Sequence, residues 1–471
     1  MSYALVDNAT LSAVQRLMGE VPSRSRSSVD PDICALENYV QATIFYDKIL
    51  AIDDYKAALR SSRVAAFPQV NFLSPDEFNL RPFEDEAQEI SSAMRPEIRG
   101  GEFVDEDIKA LIDTLKTHII CTWDVASSVY YLTLKVLAEV GGEEFDKYGK
   151  ISSAIFSELS DAKSAGKYLN PEPVLIDRYG SPIRSGYRVP GAKWGPGETG
   201  GMTSGLKSFL ASLVWLSNRT IYYSKVAKYL KADAFLYPIR QAYQQHYITK
   251  TSNYDINYTR NILDLLSRTA SADIVNVASM ETSVVGVRIP LFCAWLANRV
   301  GDPRKIIAEA NDIRESPSAT SVRNKLSEIN NLIDEQGLEA ANVERLKLIK
   351  DIEKASKALR EKYSLTTRQG IPLTSLIQVY NVSGSVFGLP KAPPLKIAVA
   401  KPKFLREWPL RKGVGAIYRD LAADLTTVAS LGEARTALGS RVVIEDRSGS
   451  YNPKAESPIY RGTHSSFKSP M

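Results

Sequence analysis

Cysteine and histidine are scarce, with three of each in 471 residues. The cysteines (Cys34, Cys121 and Cys293) lie far apart and are odd in number, which argues against a disulfide framework and fits buried thiols in a reducing compartment. His118 and Cys121 are three apart in a helical stretch, but so few soft ligands remain that a zinc site is not expected, nor is any other cofactor. Long apolar runs are also missing. Residues 289–300 are too short to span a bilayer, and residues 121–140 contain Asp124 and Lys135 and read as a buried helix. The opening, MSYALVDNATLSAV, has neither the basic start nor the apolar core of a signal peptide. These absences predict a cytoplasmic protein without a membrane partner. There is no G-x-S-x-G elbow and no internal repeat.

What is present is an ordinary globular composition, 44% hydrophobic and 24% charged, on a chain long enough for several domains. The pattern predicts a mainly α fold: a multi-helix body with an αα-hairpin and a few short β-strands near the N-terminus and in the C-terminal region. By composition the chain divides into residues 1–177, helical with an acidic segment at 75–107; a glycine-rich basic loop, 178–205; a tyrosine-rich basic helical core, 206–302; a charged αα-hairpin, 303–365; an α/β region, 366–445; and a flexible tail, 446–471.

Local signals place several elements. A first helix is expected over residues 8–20 with Asn8 as N-cap, and a second from Asp30, with Pro31 in its first turn, to Asp47. Residues 49–52 read as a small strand stopped by Asp53 and Asp54. Asp47, Asp53 and Asp54 then serve either as turn and cap residues or as ligands for a hard cation. Ser74-Pro75-Asp76-Glu77 has the form of a capping box. Residues 206–230 have helical periodicity, Pro238 opens another helix, and Asp302-Pro303 is a cap pair. Leu326, Ile329, Leu332 and Ile333 form one apolar stripe; after Gly337, residues Val343, Leu346, Ile349, Ile352 and Leu359 form a second, which defines the hairpin. Residues 395–400 and 441–444 read as short strands.

The strongest functional signal lies in residues 178–260, where twelve Lys/Arg face three acids and ten of the 23 tyrosines gather with Trp194 and Trp215. Basic side chains interleaved with flat rings suit a polyanion that also offers bases to stack on. The expected contacts are Arg184, Arg188, Lys193 and Trp194 in the loop, and Arg219, Tyr222, Tyr223, Lys225, Lys228 and Lys231 on the helix that follows. Adjacent Tyr222 and Tyr223 cannot share a helix face, so at least one is expected near the surface. The loop segment Gly195-Pro-Gly-Glu-Thr-Gly200 begins like a phosphate loop, but Gly201 and Met202 stand where Lys and Ser/Thr are needed. Thr203 or Ser204 is expected to cap the next helix. The acidic run at 75–107 reads as a solvated face, a surface for a basic partner, or a cover for this chain's own basic stretch. The expected partner is nucleic acid or a nucleotide, with other protein subunits alongside; a purely protein-binding scaffold is the further alternative.

Arg240 and His246, five residues between them, resemble the R-x(4–6)-H motif of HEPN-type ribonucleases. The resemblance implies a catalytic pair, an arginine with a histidine that handles a proton during attack by a 2′-hydroxyl. Gln241 stands where that family often has Asn or Asp, and Tyr247 follows the histidine. Two longer stretches, residues 35–55 and 218–240, resemble uncharacterised bacterial proteins of mobile-element and antiphage-defence neighbourhoods. That resemblance implies a component of a defence assembly and no particular activity.

Overall fold

The computed structural model describes residues 1–23, 29–55, 57–94, 98–99, 175–176, 182–183, 204–253, 255–277, 290–362, 413–425, 434 and 436–444. Its helices are α1 (Asn8–Met18), α2 (Val29–Phe45), α3 (Ala57–Ala66), α4 (Pro82–Ala93), α5 (Ser204–Tyr229), α6 (Pro238–Thr251), α7 (Arg260–Val277), α8 (Leu291–Val300), α9 (Ile306–Arg314), α10 (Pro317–Gln336), α11 (Leu338–Lys362) and α12 (Gly413–Leu425). The strands are β1 (Tyr3–Val6), β2 (Lys48–Ile52), β3 (Val70–Leu73), the two-residue β4 (Ile98–Arg99), β5 (Leu175–Ile176) and β6 (Pro182–Ile183), and β7 (Ala232–Phe235). The fold is mainly helical, as the sequence predicts.

At its centre lies a parallel sheet in the order β3-β2-β1-β7. Successive strand residues point to opposite faces. Ala4, Val6, Ile49, Ala51, Val70 and Phe235 enter one apolar cluster with α2, α7, α8 and the C-terminal helices. Leu5, Leu50, Ile52, Leu73, Ala232 and Ala234 enter the other, with α5, α6 and α4. Both faces are therefore covered, and the strands are short and mostly apolar, with Asn71 inside β3 and Asp233 inside β7. The outer edge of β7 is closed by side chains: Asn257 Oδ1 accepts from Ala234 N at 2.7 Å, and Arg260 donates to the Ala234 carbonyl. These bonds blunt the edge against further strand pairing.

The expected hairpin is α10–α11. Ser316 caps it, accepting from Ala319 N at 3.2 Å, and Gly337 makes the turn at φ 83° and ψ −179°. It packs on its own chain, against α2, α7 and α12, and does not protrude. Of the second stripe Ile349, Ile352 and Leu359 are buried as expected, joined by Ala341, Leu348 and Ala355, whereas Leu346 is half-buried and Val343 is 56% exposed. Helix α12 is held by Asp273 of α7, whose carboxylate accepts from Ser356, Arg360 and Tyr418, and by Trp295 Nε1 donating to Asp424 at 2.7 Å.

Other expectations are corrected. Asp7, not Asn8, is the N-cap of α1, its side chain accepting from Thr10 N at 2.9 Å. The capping-box residues form a turn in which Phe78 N donates to the Ser74 carbonyl and Asn79 adopts φ 52°; the helix starts only at Pro82. Residues 441–444 form no strand, and Ile444 makes a single parallel bridge to Ser23. Residues 395–400, His118, Cys121 and the tail at 446–471 lie outside the described residues. Among the described residues no helix is long and apolar enough to cross a membrane.

Candidate functional site at the carboxyl end of the sheet

Strands β1, β2 and β3 step outward in one direction, and β7 lies on the other side of β1. Loops leaving β1 and β7 at their carboxyl ends therefore diverge, and in open parallel sheets the crevice at such a point is where ligands bind. Here it is filled by a buried ionic network. Asp7 follows β1, Asp53 and Asp54 follow β2, and Tyr237 lies just beyond β7.

Asp7 is fully buried and accepts from Tyr237 N at 3.1 Å and from Arg240 Nη1 at 2.9 Å, in addition to capping α1. Tyr237 OH continues to Asp32 Oδ1 at 3.2 Å, and Asp32 is held bidentately by Arg16 at 2.7 and 2.6 Å. On the other side Asn8 Nδ2 donates to Asp54 and to the Ile52 carbonyl, and Asp54 forms an ion pair with Arg219 of α5. Arg63 of α3 donates to both oxygens of Asn8, at 2.9 and 3.0 Å, and to Ser12 Oγ at 2.5 Å, with its guanidinium 3.4 Å from the Tyr55 ring centroid. Tyr223 joins the halves: its OH accepts from Asn8 N at 3.4 Å, and its ring lies 5.2 Å from the Arg219 guanidinium and 5.5 Å from that of Arg240. Burial pushes the phenols of Tyr222 and Tyr223 up, and the Asp54 carboxylate pushes the same way, so both rings stay neutral.

The named members of this network include four guanidinium groups (Arg16, Arg63, Arg219, Arg240) and three carboxylates (Asp7, Asp32, Asp54). Such a set suits an anion better than a metal cation. No group of three or more His, Cys, Asp or Glu able to hold a metal occurs among the described residues. Asp47 instead accepts from Ser2 N at 2.7 Å, and Asp53 pairs with Arg60 at 2.7 Å.

Of the residues expected from sequence, Arg219, Tyr222, Tyr223 and Arg240 belong to this network or abut it. Both tyrosines are buried, 1% and 0% exposed, because α5 lies between the sheet and α4. Lys225, Lys228 and Lys231 lie outside it, each tied to an acid: Glu86 at 2.7 Å, Asp255 at 2.7 Å and Asp334 at 2.9 Å. Lys231 follows the helix rather than riding on it, at φ 50°. Arg184, Arg188, Lys193 and Trp194 lie outside the described residues. His246 is buried beside Tyr243, ring centroids 5.8 Å apart. Six positions on a helix is about 240° of rotation, so His246 and Arg240 leave α6 on different sides. Sequence reasoning misses Asp7, Asn8 and Arg63 as members of the site and reads Asp54 as a turn residue or cation ligand. A signal for the two aspartates exists in the sequence: YALVD and KILAIDD are both apolar runs ended by aspartate.

The two stretches 35–55 and 218–240 meet at this sheet. Asn38 Nδ2 donates to the Leu236 carbonyl at 2.6 Å and to Gln241 Oε1 at 2.9 Å. Fold and site together define a mainly helical protein built on a doubly covered parallel sheet, with an arginine-rich network at the carboxyl end of that sheet. Compared with known proteins, the chain matches no family model, no curated protein and no solved structure.

Proposed function

We propose that this protein binds a phosphorylated ligand, nucleic acid included, at the carboxyl end of its sheet and along the adjoining face of α5. The observation that carries the reading is the convergence of Arg63, Arg219 and Arg240, from three separate helices, on the β1/β7 divergence. Buried ion pairs are a weak source of stability, since desolvation offsets most of their attraction. Gathering several at the end of a sheet where ligands bind is better explained by an anion that can take the place of a carboxylate. Arginine suits that exchange, because its planar fork presents two parallel donors to phosphate as readily as to carboxylate.

A second reading, a scaffold that binds only protein, is favoured by the internal pairing of Lys225, Lys228 and Lys231, which meets these three charges with the chain's own acids. The two are separated by the absorbance ratio of protein purified at low salt, followed by titration with single-stranded RNA, duplex DNA and tripolyphosphate. Co-purifying nucleic acid, or saturable binding of any of the three, supports the first reading. Protein free of nucleic acid that binds none of them supports the scaffold.

A further inference from the structure

Helix α4 lies on the outer side of α5. Its main packing partner is α5. Of its residues only Ala87 and Ser91 are buried, while Phe83, Ile90 and the adjoining Met94 are partly so. With Glu84 and Gln88 also half-buried, that gives one face at positions 83, 84, 87, 88, 90, 91 and 94, on which only Ala87 and Ser91 are fully covered. Helix α4 meets α5 along a regular row of α5 residues. Asn218 Nδ2 donates to Gln88 Oε1 at 3.4 Å, Glu84 adds to the field at Tyr222, Lys225 pairs with Glu86 at 2.7 Å, and the Tyr229 ring lies 5.1 Å from that of Phe83. Residues 218, 222, 225 and 229 advance by four, three and four, a single helical face.

The chemistry across this contact is that of an anion on a basic surface. Helix α4 carries Glu84, Asp85, Glu86 and Glu89, and the face it covers offers Lys225 and Tyr222, with Arg219 and Asp54 directly behind. The segment leading into α4 has the form of a hinge: Ser74 and Pro75 are half-buried, Asp76 to Asn79 are exposed, Asn79 adopts φ 52°, and Leu80 is buried and anchors the far end through its N–H to the Pro75 carbonyl at 2.8 Å.

We propose that α4 is an acidic lid on α5, seated where a polyanion sits when the lid is open, and that its release exposes Tyr222, Lys225 and the Arg219–Asp54 pair. The opening stands on the packing alone; the polyanionic occupant rests on the function proposed above. Closed, the lid adds to the cover over Tyr222 and Arg219, which are each only 1% exposed.

The experiment is hydrogen exchange on the full chain, free and with a 20-nucleotide oligouridylate or tripolyphosphate, for the wild type, Glu86→Lys and the double variant Phe83→Ala/Glu86→Lys. Glu86 is exposed, so its single change keeps the test valid if the double variant folds poorly. Amides of residues 82–93 should exchange through local opening, ~10-fold or more faster than those of β1 after correction for intrinsic rates. Glu86→Lys should speed them about three-fold further, the size of one exposed ion pair. The double variant should do more and bind the oligonucleotide more tightly, with β1 unchanged in both. Protection of α4 equal to that of β1, or loosening of β1 in step with α4, overturns the lid. Independent opening of α4 in proteins that bind neither probe supports the lid and overturns the proposed function.

Discussion

One carboxylate, Asp7, caps α1, accepts the Tyr237 backbone N–H and neutralises Arg240, all without exposure to water. Asp7→Ala strips the carboxylate from a buried guanidinium and should cost about 3–5 kcal/mol in urea unfolding. Asp7→Asn, which keeps a capping oxygen, should cost less, and adding Arg240→Met to it should recover part of the loss. A cost below ~1 kcal/mol for Asp7→Ala would mean that Arg240 finds equivalent solvation elsewhere. By the same reasoning Arg240→Ala should lower stability as well as any activity, so activity loss alone cannot identify this arginine as catalytic. Glu37, in α2, accepts from Phe292 N at 3.2 Å and Cys293 N at 2.8 Å in the first turn of α8. Burial raises its pKa above the ordinary carboxylate value, and the bonds from Cys293, Gln41 and Phe292 offset only part of that. A carboxyl with a raised folded-state pKa contributes stability below its unfolded pKa and loses it as pH rises through the folded value. Glu37→Gln should therefore be more stable than wild type at pH 8, with the difference narrowing on acidification. A difference that widens as pH falls would show that the charged form is the favoured one.

Elements defined by helical periodicity and caps were legible in the sequence. Asp302 accepts from Arg304 N at 3.1 Å, Pro238 begins α6, and Gly337 breaks the hairpin, because these are local signals. The glycines that end α8 and α10 can be told apart experimentally. Gly337 holds φ 83° with ψ −179°, a region open in practice only to glycine, whereas Gly301 holds φ 67° with ψ −15°. A Cβ would meet nothing within 4 Å at either position, so backbone strain alone decides the cost. Gly337→Ala should lose ~1–3 kcal/mol and Gly301→Ala about 1 kcal/mol, both read by thermal unfolding. Equal costs would mean that the hairpin turn relaxes. Strands β1, β3 and β7 were not legible. Each is only four residues long; β1 and β7 are buried on both faces, and the edge strand β3 exposes Asn71, so no regular alternation marks them. Only β2 stood out, because Asp53 and Asp54 stop it.

At the scale of the whole molecule, the partner of β1 is β7, more than two hundred residues away, and no local pattern announces that pairing. This is also why the candidate site was only half visible. Arg219, Tyr223 and Arg240 stood out as basic and aromatic residues, but their partners Asp7, Asn8 and Asp54 lie in the first 54 residues and read as caps and turns until the sheet brings the two regions together. The acidic run was legible as one candidate cover for the basic stretch, and its helix α4 does lie on α5 through Glu86 and Lys225. What composition could not convey is how far the positive charge of residues 178–260 is met internally, since that depends on acids contributed by α4, α10 and the sheet loops.

The central claim is that the positive charge of residues 184–193 and of α5 is there for a polyanion, and the salt dependence of binding tests it most directly. Oligouridylate affinity should be measured by fluorescence anisotropy across a salt series for the wild type, for Lys225→Glu and for the triple variant Arg184→Glu/Arg188→Glu/Lys193→Glu. A cation that no longer meets a phosphate no longer displaces its counterions, so the slope of log affinity against log salt should flatten by about 0.7 for each such cation on a single strand. A wild type that binds, with slopes flattened in both variants, is the predicted result. Identical affinity and slope in all three proteins, or no binding by the wild type, would contradict it.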